Sequence, residues 1–193
     1  SLVAPPSTAV ESSFGAAAMP RRILALRVLV VCTANHCRSP LAAALLAKRT
    51  SERGIADHVV IDSAALRPVR LGQPPSRRVI EVGRRRGAVV GGVATLATPE
   101  RLASSDVIVC MDEDHREEIE RDLALAARPG APGPLVRLLL SFAPELGRLE
   151  VPDPHGRDLA AHERVAELIE RGVEGLAAWL AEGVAARTAL RRG

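Results

Sequence analysis

The sequence contains no tyrosine, and its aromatic residues number three: Phe14, Phe142 and Trp179. That scarcity argues against a module that holds single-stranded nucleic acid by stacking bases on aromatic rings. Lysine occurs once, at Lys48, and asparagine once, at Asn35. The 26 basic residues nearly balance 23 acidic ones, and the formal charge of +3 permits an anionic ligand without marking a DNA- or membrane-binding protein. Cys32, Cys37 and Cys110 are too few, and odd in number, for a secreted disulfide framework, so a reducing cytoplasmic setting is expected. No apolar run approaches the roughly 20 residues that span a bilayer. The longest candidate, Ile23 to Cys32, is broken by Arg27 and reads as a strand.

What is present is an alternation of strands and helices along 193 residues, 47% of them hydrophobic. Residues 1–23 mix Pro, Ser and Ala and read as a disordered leader, and 183–193 as a loose tail, leaving one domain at 24–182. Val28–Cys32 is a continuous apolar run, as expected of a parallel strand covered on both faces. A polar loop follows, then a helix with Pro40 in its first turn. His58–Ser63, Val107–Met111 and Leu135–Leu140 read as further strands. Helices are expected at Ser76–Arg86, from Thr98 towards Ser104, at Asp112–Ala127 and at Asp158–Ala181. Repeated strand–helix units predict one α/β domain around a parallel sheet.

In such sheets ligands sit beyond the carboxyl ends of the strands. The loop there reads Cys32-Thr-Ala-Asn-His-Cys-Arg-Ser-Pro40 and feeds directly into a helix. Cys followed six residues later by Arg carries little weight alone in so arginine-rich a chain. Its place between strand and helix, with Ser39 beside Arg38, carries more. Backbone N–H groups wrapped at a helix N-terminus form an anion site that also stabilises a thiolate. Arg38 offers a bidentate fork to two phosphoryl oxygens, and the Ser39 hydroxyl is a donor to sulfur. These residues point to Cys32 as a nucleophile towards phosphorus.

At these positions the chain resembles the low-molecular-weight protein tyrosine phosphatase family. Its signature is Cys, five residues, Arg, Ser or Thr, and Pro, with an Asp-Pro pair far downstream. Asp153-Pro154 resembles that second element, and Ile61–Ala65, Val107–Asp112 and the closing helix also look like family segments. The resemblance covers about residues 24–182 and implies a three-layer domain with a four-stranded parallel sheet flanked by helices. It implies that Cys32, Arg38 and Asp153 are catalytic, through a phosphocysteine intermediate. Thr33, Ala34, Asn35, His36, Cys37, Arg38 and Ser39 would form the phosphate-binding loop, with Asn35, Ser39 and Ser63 supporting its shape. No metal or cofactor is implied. The partner is a phosphorylated protein or another phosphomonoester, with neither nucleic acid nor membrane, acting as a monomer or weak dimer.

Several positions depart from the family pattern. Ala34 stands where Gly is usual, so strain from a left-handed backbone is expected there. A histidine of the supporting network is replaced near Val90–Gly92. His155 and Gly156 follow the Asp-Pro pair in place of tyrosine, and the loop Leu66–Leu71 carries Arg67 and Arg70 in place of a rim aromatic. Substrate therefore stays open between phosphotyrosine, phosphoarginine and a small molecule, with a binding module lacking turnover as the remaining alternative. His36, at the pocket mouth, is a candidate for substrate choice. Cys32 and Cys37 bracket one tight loop, so an oxidised Cys32 is expected to be trapped as a disulfide. A disulfide-relay arsenate reductase is disfavoured, since only Cys110 lies outside the loop and position 117 is Glu. Zinc at Cys32, His36 and Cys37 is disfavoured by neighbouring Arg38 and the want of a fourth ligand.

Overall fold

A computed structural model describes residues 25–126 and 133–189. The expected leader at 1–23 lies outside the described residues, as do 190–193. Strands β1 (Leu26–Cys32), β2 (Val59–Ala65), β3 (Val107–Cys110) and β4 (Leu135–Leu138) form one sheet in the order β2-β1-β3-β4. Every pairing is parallel. Helices α1 (Arg38–Glu52), α2 (Arg77–Arg85), α3 (Pro99–Ala103), α4 (Glu113–Ala126) and α5 (Leu159–Ala189) cover both faces.

The unbroken apolar run of β1 follows from its central place. Successive side chains point to opposite faces, so both sets are buried. Val28, Val30 and Cys32 join Leu41 and Leu45 of α1 and Ile169 and Leu176 of α5 in one core layer. Leu29 and Val31 join Leu102 of α3 and Ile119 of α4 in the other. Strand order reverses between β1 and β3, which places the crevice for a ligand at the carboxyl end of β1. Among the described residues no helix is long and apolar enough to cross a membrane.

Two boundaries differ from the sequence expectation. The fourth strand ends at Leu138, and the chain turns through a 3-10 segment, Leu139–Phe142. The tail expected to be loose from 183 is helical to Ala189. Val184 continues the buried series of Leu176 and Leu180, and the Thr188 hydroxyl donates to the Val184 carbonyl at 2.9 Å. In the run Arg84–Arg86, Arg84 stays exposed, while Arg85 and Arg86 reach Glu163 and Arg86 also meets Glu170, tying α2 to α5.

The 3-10 segment lies directly against α5 at two glycines. A Cβ at Gly172 would come within 2.9 Å of the Leu139 carbonyl oxygen, and one at Gly175 would overlap the carbonyl oxygen of Phe142. A Cβ at Gly183 meets nothing within 4 Å. Helix propensity alone favours alanine over glycine by about 1 kcal/mol. Gly183→Ala is therefore expected to raise the urea midpoint slightly. Gly175→Ala should lower it, with a net loss of about 1–3 kcal/mol from backbone displacement in a packed layer.

Candidate active site

Cys32 ends β1, and Arg38 opens α1, so the five residues between them form a loop at the crevice. The carbonyls of Cys32, Thr33 and His36 accept N–H bonds from Leu66, Arg67 and Ser76. Drawn outward in this way, they leave the N–H side of the loop to the cavity. Asn35 has φ of 50° and is the one non-glycine residue with positive φ among those described. Asparagine tolerates that region because its short amide bonds locally. Here Nδ2 donates to Ser39 Oγ and Ser63 Oγ, both at 2.9 Å, and Oδ1 accepts from the Thr95 backbone N–H at 3.2 Å.

One expectation changes with this geometry. The left-handed residue is Asn35, so the strain expected at Ala34 is absent. The Asn35 side chain is also held by a main-chain donor at Thr95, beyond the Val90–Gly92 stretch. Asn35 and Ser39 are buried and line the cavity with no side chain, so theirs is the supporting role, together with Ser63.

Ser39 Oγ lies 3.1 Å from Cys32 Sγ. Since that oxygen already accepts from Asn35, its own proton is free to point at sulfur. Arg38 is 4% exposed. Its Nη1 donates to Asp112 Oδ2 at 2.9 Å and to the Val151 carbonyl at 3.0 Å. Its Nη2 donates to Thr33 Oγ1 at 3.2 Å and to Asp153 Oδ2 at 3.3 Å.

Asp112 and His115 were not singled out as site residues from the sequence. The Asp112 carboxylate caps α4 by accepting from the His115 backbone N–H at 3.0 Å. His115 Nδ1 approaches Asp112 Oδ1 at 2.9 Å, and Nε2 meets Thr33 Oγ1 at 2.9 Å. Arg38, Asp112, His115 and Thr33 thus close a ring. Burial alone would raise the Asp112 pKa, but His115 and the Arg38 guanidinium together hold it down at about 2.

The cavity above the loop has a volume of about 350 Å³ and is lined by the loop, Val69, Arg70, Asp153 and His155. The His36 and His155 rings meet edge to face, with centroids 6.0 Å apart. Arg70 reaches this rim as expected. Arg67 does not, because it pairs with Glu118. Burial, then Arg70, lower the His36 pKa against the opposing Pro74 carbonyl.

A family described as low molecular weight phosphotyrosine protein phosphatase matches residues 27–186. The chain belongs to this family. It is 34% identical over 162 residues to low molecular weight protein-tyrosine phosphatase A of Mycobacterium tuberculosis, covering 83% of this chain and 94% of that protein. A protein tyrosine phosphatase structure from Entamoeba histolytica superposes with a TM-score of 0.75 at 27% identity, covering 82% of this chain and 99% of that one. The structure of DARP, a Drosophila arginine phosphatase, gives 0.72 at 25% identity, covering 78% and 95%. Like its family, the protein is a cysteine-based phosphatase of phosphomonoesters.

The other two thiols of this phosphatase are held neutral. Burial, reinforced by the Asp153 and Cys32 charges, pushes Cys37 up to about 11 against its Ser76 contact. Burial raises Cys110 still further. At pH 8, limited iodoacetamide is therefore expected to label the folded protein at Cys32 first. Peptide mass spectrometry should find Cys37 and Cys110 unmodified until denaturant is added.

Proposed function

We propose that Cys32 attacks the phosphoryl group of a phosphorylated protein side chain, phosphotyrosine in preference, with Arg38 as the phosphate anchor and Asp153 as the proton donor. The observation that carries this reading is the buried Arg38 guanidinium, aimed across the loop by Asp112, Val151 and Thr33, with Asp153 in the same cavity. Nε of Arg38 has no hydrogen bond among the described residues, and the Nη2 contact to Asp153 is long. A phosphate can take that edge bidentately and release Asp153 to the leaving group.

In the first step the Cys32 sulfur bonds to phosphorus as the ester P–O bond breaks, and protonated Asp153 gives its proton to the departing oxygen. In the second, water attacks phosphorus while the Asp153 carboxylate takes a proton from it. The S–P bond breaks, phosphate leaves, and Cys32 returns as thiolate stabilised by Ser39. Loop N–H groups and Arg38 hold the equatorial oxygens throughout. Three free thiols support a reducing compartment such as the cytoplasm.

The rim supports phosphotyrosine over phosphoarginine. Arg70 beside His36 repels a guanidinium leaving group, whereas an aryl ring can rest against the paired imidazoles. An aromatic contact of this kind is worth about 0.5–1.5 kcal/mol.

Hydrolysis of para-nitrophenyl phosphate with chelator present tests the mechanism. Cys32→Ser should abolish turnover, and Asp153→Ala should lower kcat by about 10²–10⁴. Activity surviving in Cys32→Ser would refute the reading. An inactive, freshly reduced wild type that still binds vanadate would make this a binding module. For substrate, wild type should favour phosphotyrosine over phosphoarginine peptides, and His36→Ile should change that ratio. An unchanged ratio removes His36 from substrate choice.

A further inference from the structure

We propose that the mouth of the phosphate pocket is a binding site for a transition-metal cation of the zinc class, held by His36, Cys37 and His155, and that the bound ion closes the pocket. One donor atom from each of these residues lies within 4.8 Å of the others. A tetrahedral zinc with Zn–N of about 2.0–2.1 Å and Zn–S of about 2.3 Å holds its donors roughly 3.3–3.6 Å apart. Each pair thus has to close by at most about 1.2–1.5 Å, and His155 is exposed and free to turn inward.

A second observation is independent of this clustering. Among the described residues, His36 Nδ1 is shielded from solvent and makes no well-formed hydrogen bond. A shielded ring nitrogen in that state takes a hydrogen-bond partner or, as the unprotonated nitrogen, a cation. Two imidazoles and a thiolate select zinc, cobalt or similar ions over magnesium and calcium, which prefer oxygen. Cys37 must lose its proton: the S–H bond breaks, the sulfur lone pair binds the metal, and the proton goes to solvent. Asp153 supplies nearby negative charge, while Arg70 and Arg38 oppose binding.

The site differs from the zinc arrangement disfavoured by the sequence, because His155 replaces Cys32 as third ligand. The fourth position is left to water, the arrangement of open zinc sites. The ion would staple the 32–38 loop to the segment that follows Asp153, covering Cys32 and Arg38. It is an inhibitor of this pocket rather than part of its chemistry.

Titration of the full chain with Co²⁺, with no substrate and under a non-chelating phosphine reductant, tests the site by its sulfur-to-cobalt charge-transfer and visible bands. One equivalent should bind, with an affinity that rises about tenfold per pH unit near neutrality as one thiol proton is released. Cys32→Ser should keep the bands and Cys37→Ser should lose them. His155→Phe, which retains ring packing against His36, should weaken Co²⁺ binding, and Zn²⁺ inhibition of para-nitrophenyl phosphate hydrolysis, by tenfold or more. Bands that vanish in Cys32→Ser, equal affinity in His155→Phe, or no binding by wild type would each overturn the proposal. Binding is read without turnover, so failure of this site and failure of the catalytic reading are separate results.

Discussion

The Arg38–Asp112 pair lies where three parts of the chain meet, beside the β1–β3 pairing and the Val151 N–H bond to the Met111 carbonyl. A guanidinium at 4% exposure is tolerable only with its donors met and a carboxylate nearby. Asp112 supplies the carboxylate from the end of β3, Val151 supplies a carbonyl from the segment before α5, and Thr33 supplies a hydroxyl from the loop itself. Leaving one member of such a buried pair unpartnered costs about 3–5 kcal/mol. Arg38 is also the first residue of α1, so the same contacts fix how the helix leaves the loop. The orientation of the phosphate anchor is therefore a property of the whole sheet edge.

The sheet makes this convergence possible. Because β1 is central, its carboxyl end has β2 on one side and β3 on the other. Ser63 from β2 and Asp112 from the end of β3 can then reach the same loop from opposite sides. The second constraint comes from α5. Gly172 and Gly175 let the 3-10 segment after β4 lie against the helix backbone, which sets the path of the chain onward to Val151 and Asp153. Packing far from the pocket thus decides where the Asp153 carboxylate arrives.

Local pattern and order made much of this legible. The apolar run of β1, the loop spacing from Cys32 to Arg38, and Asp153-Pro154 placed well downstream all survive in the structure. What escaped were contacts between residues distant in sequence. Asp112 reads as one charge in a charged helix start, Asp112-Glu-Asp-His-Arg, and His115 as an ordinary surface histidine. The available signal was position: an acidic residue one step past a buried strand end, capping the following helix, faces the crevice. Asn35 stands out as the one asparagine, yet the sequence pattern points to Ala34 for the left-handed conformation that Asn35 adopts. The tail reads as loose in sequence, although Val184 keeps the four-residue spacing of Leu176 and Leu180 that packing rewards.

The mouth of the pocket follows from different constraints than its floor. The floor needs charge held rigidly, and every hydroxyl and amide there has a partner. At the rim the donors are softer: two edge-on imidazoles and a neutral buried thiol. The fixed positive charge at the rim comes from Arg70, which a guanidinium leaving group must approach and a phenolic one need not. An aryl substrate and a zinc-class ion would therefore compete for one pair of imidazoles, and whatever draws His155 towards His36 also narrows the path to Cys32. Selectivity for the leaving group and sensitivity to metal become two consequences of placing histidine, in positions 36 and 155, beside a cysteine at the lip of an anion site.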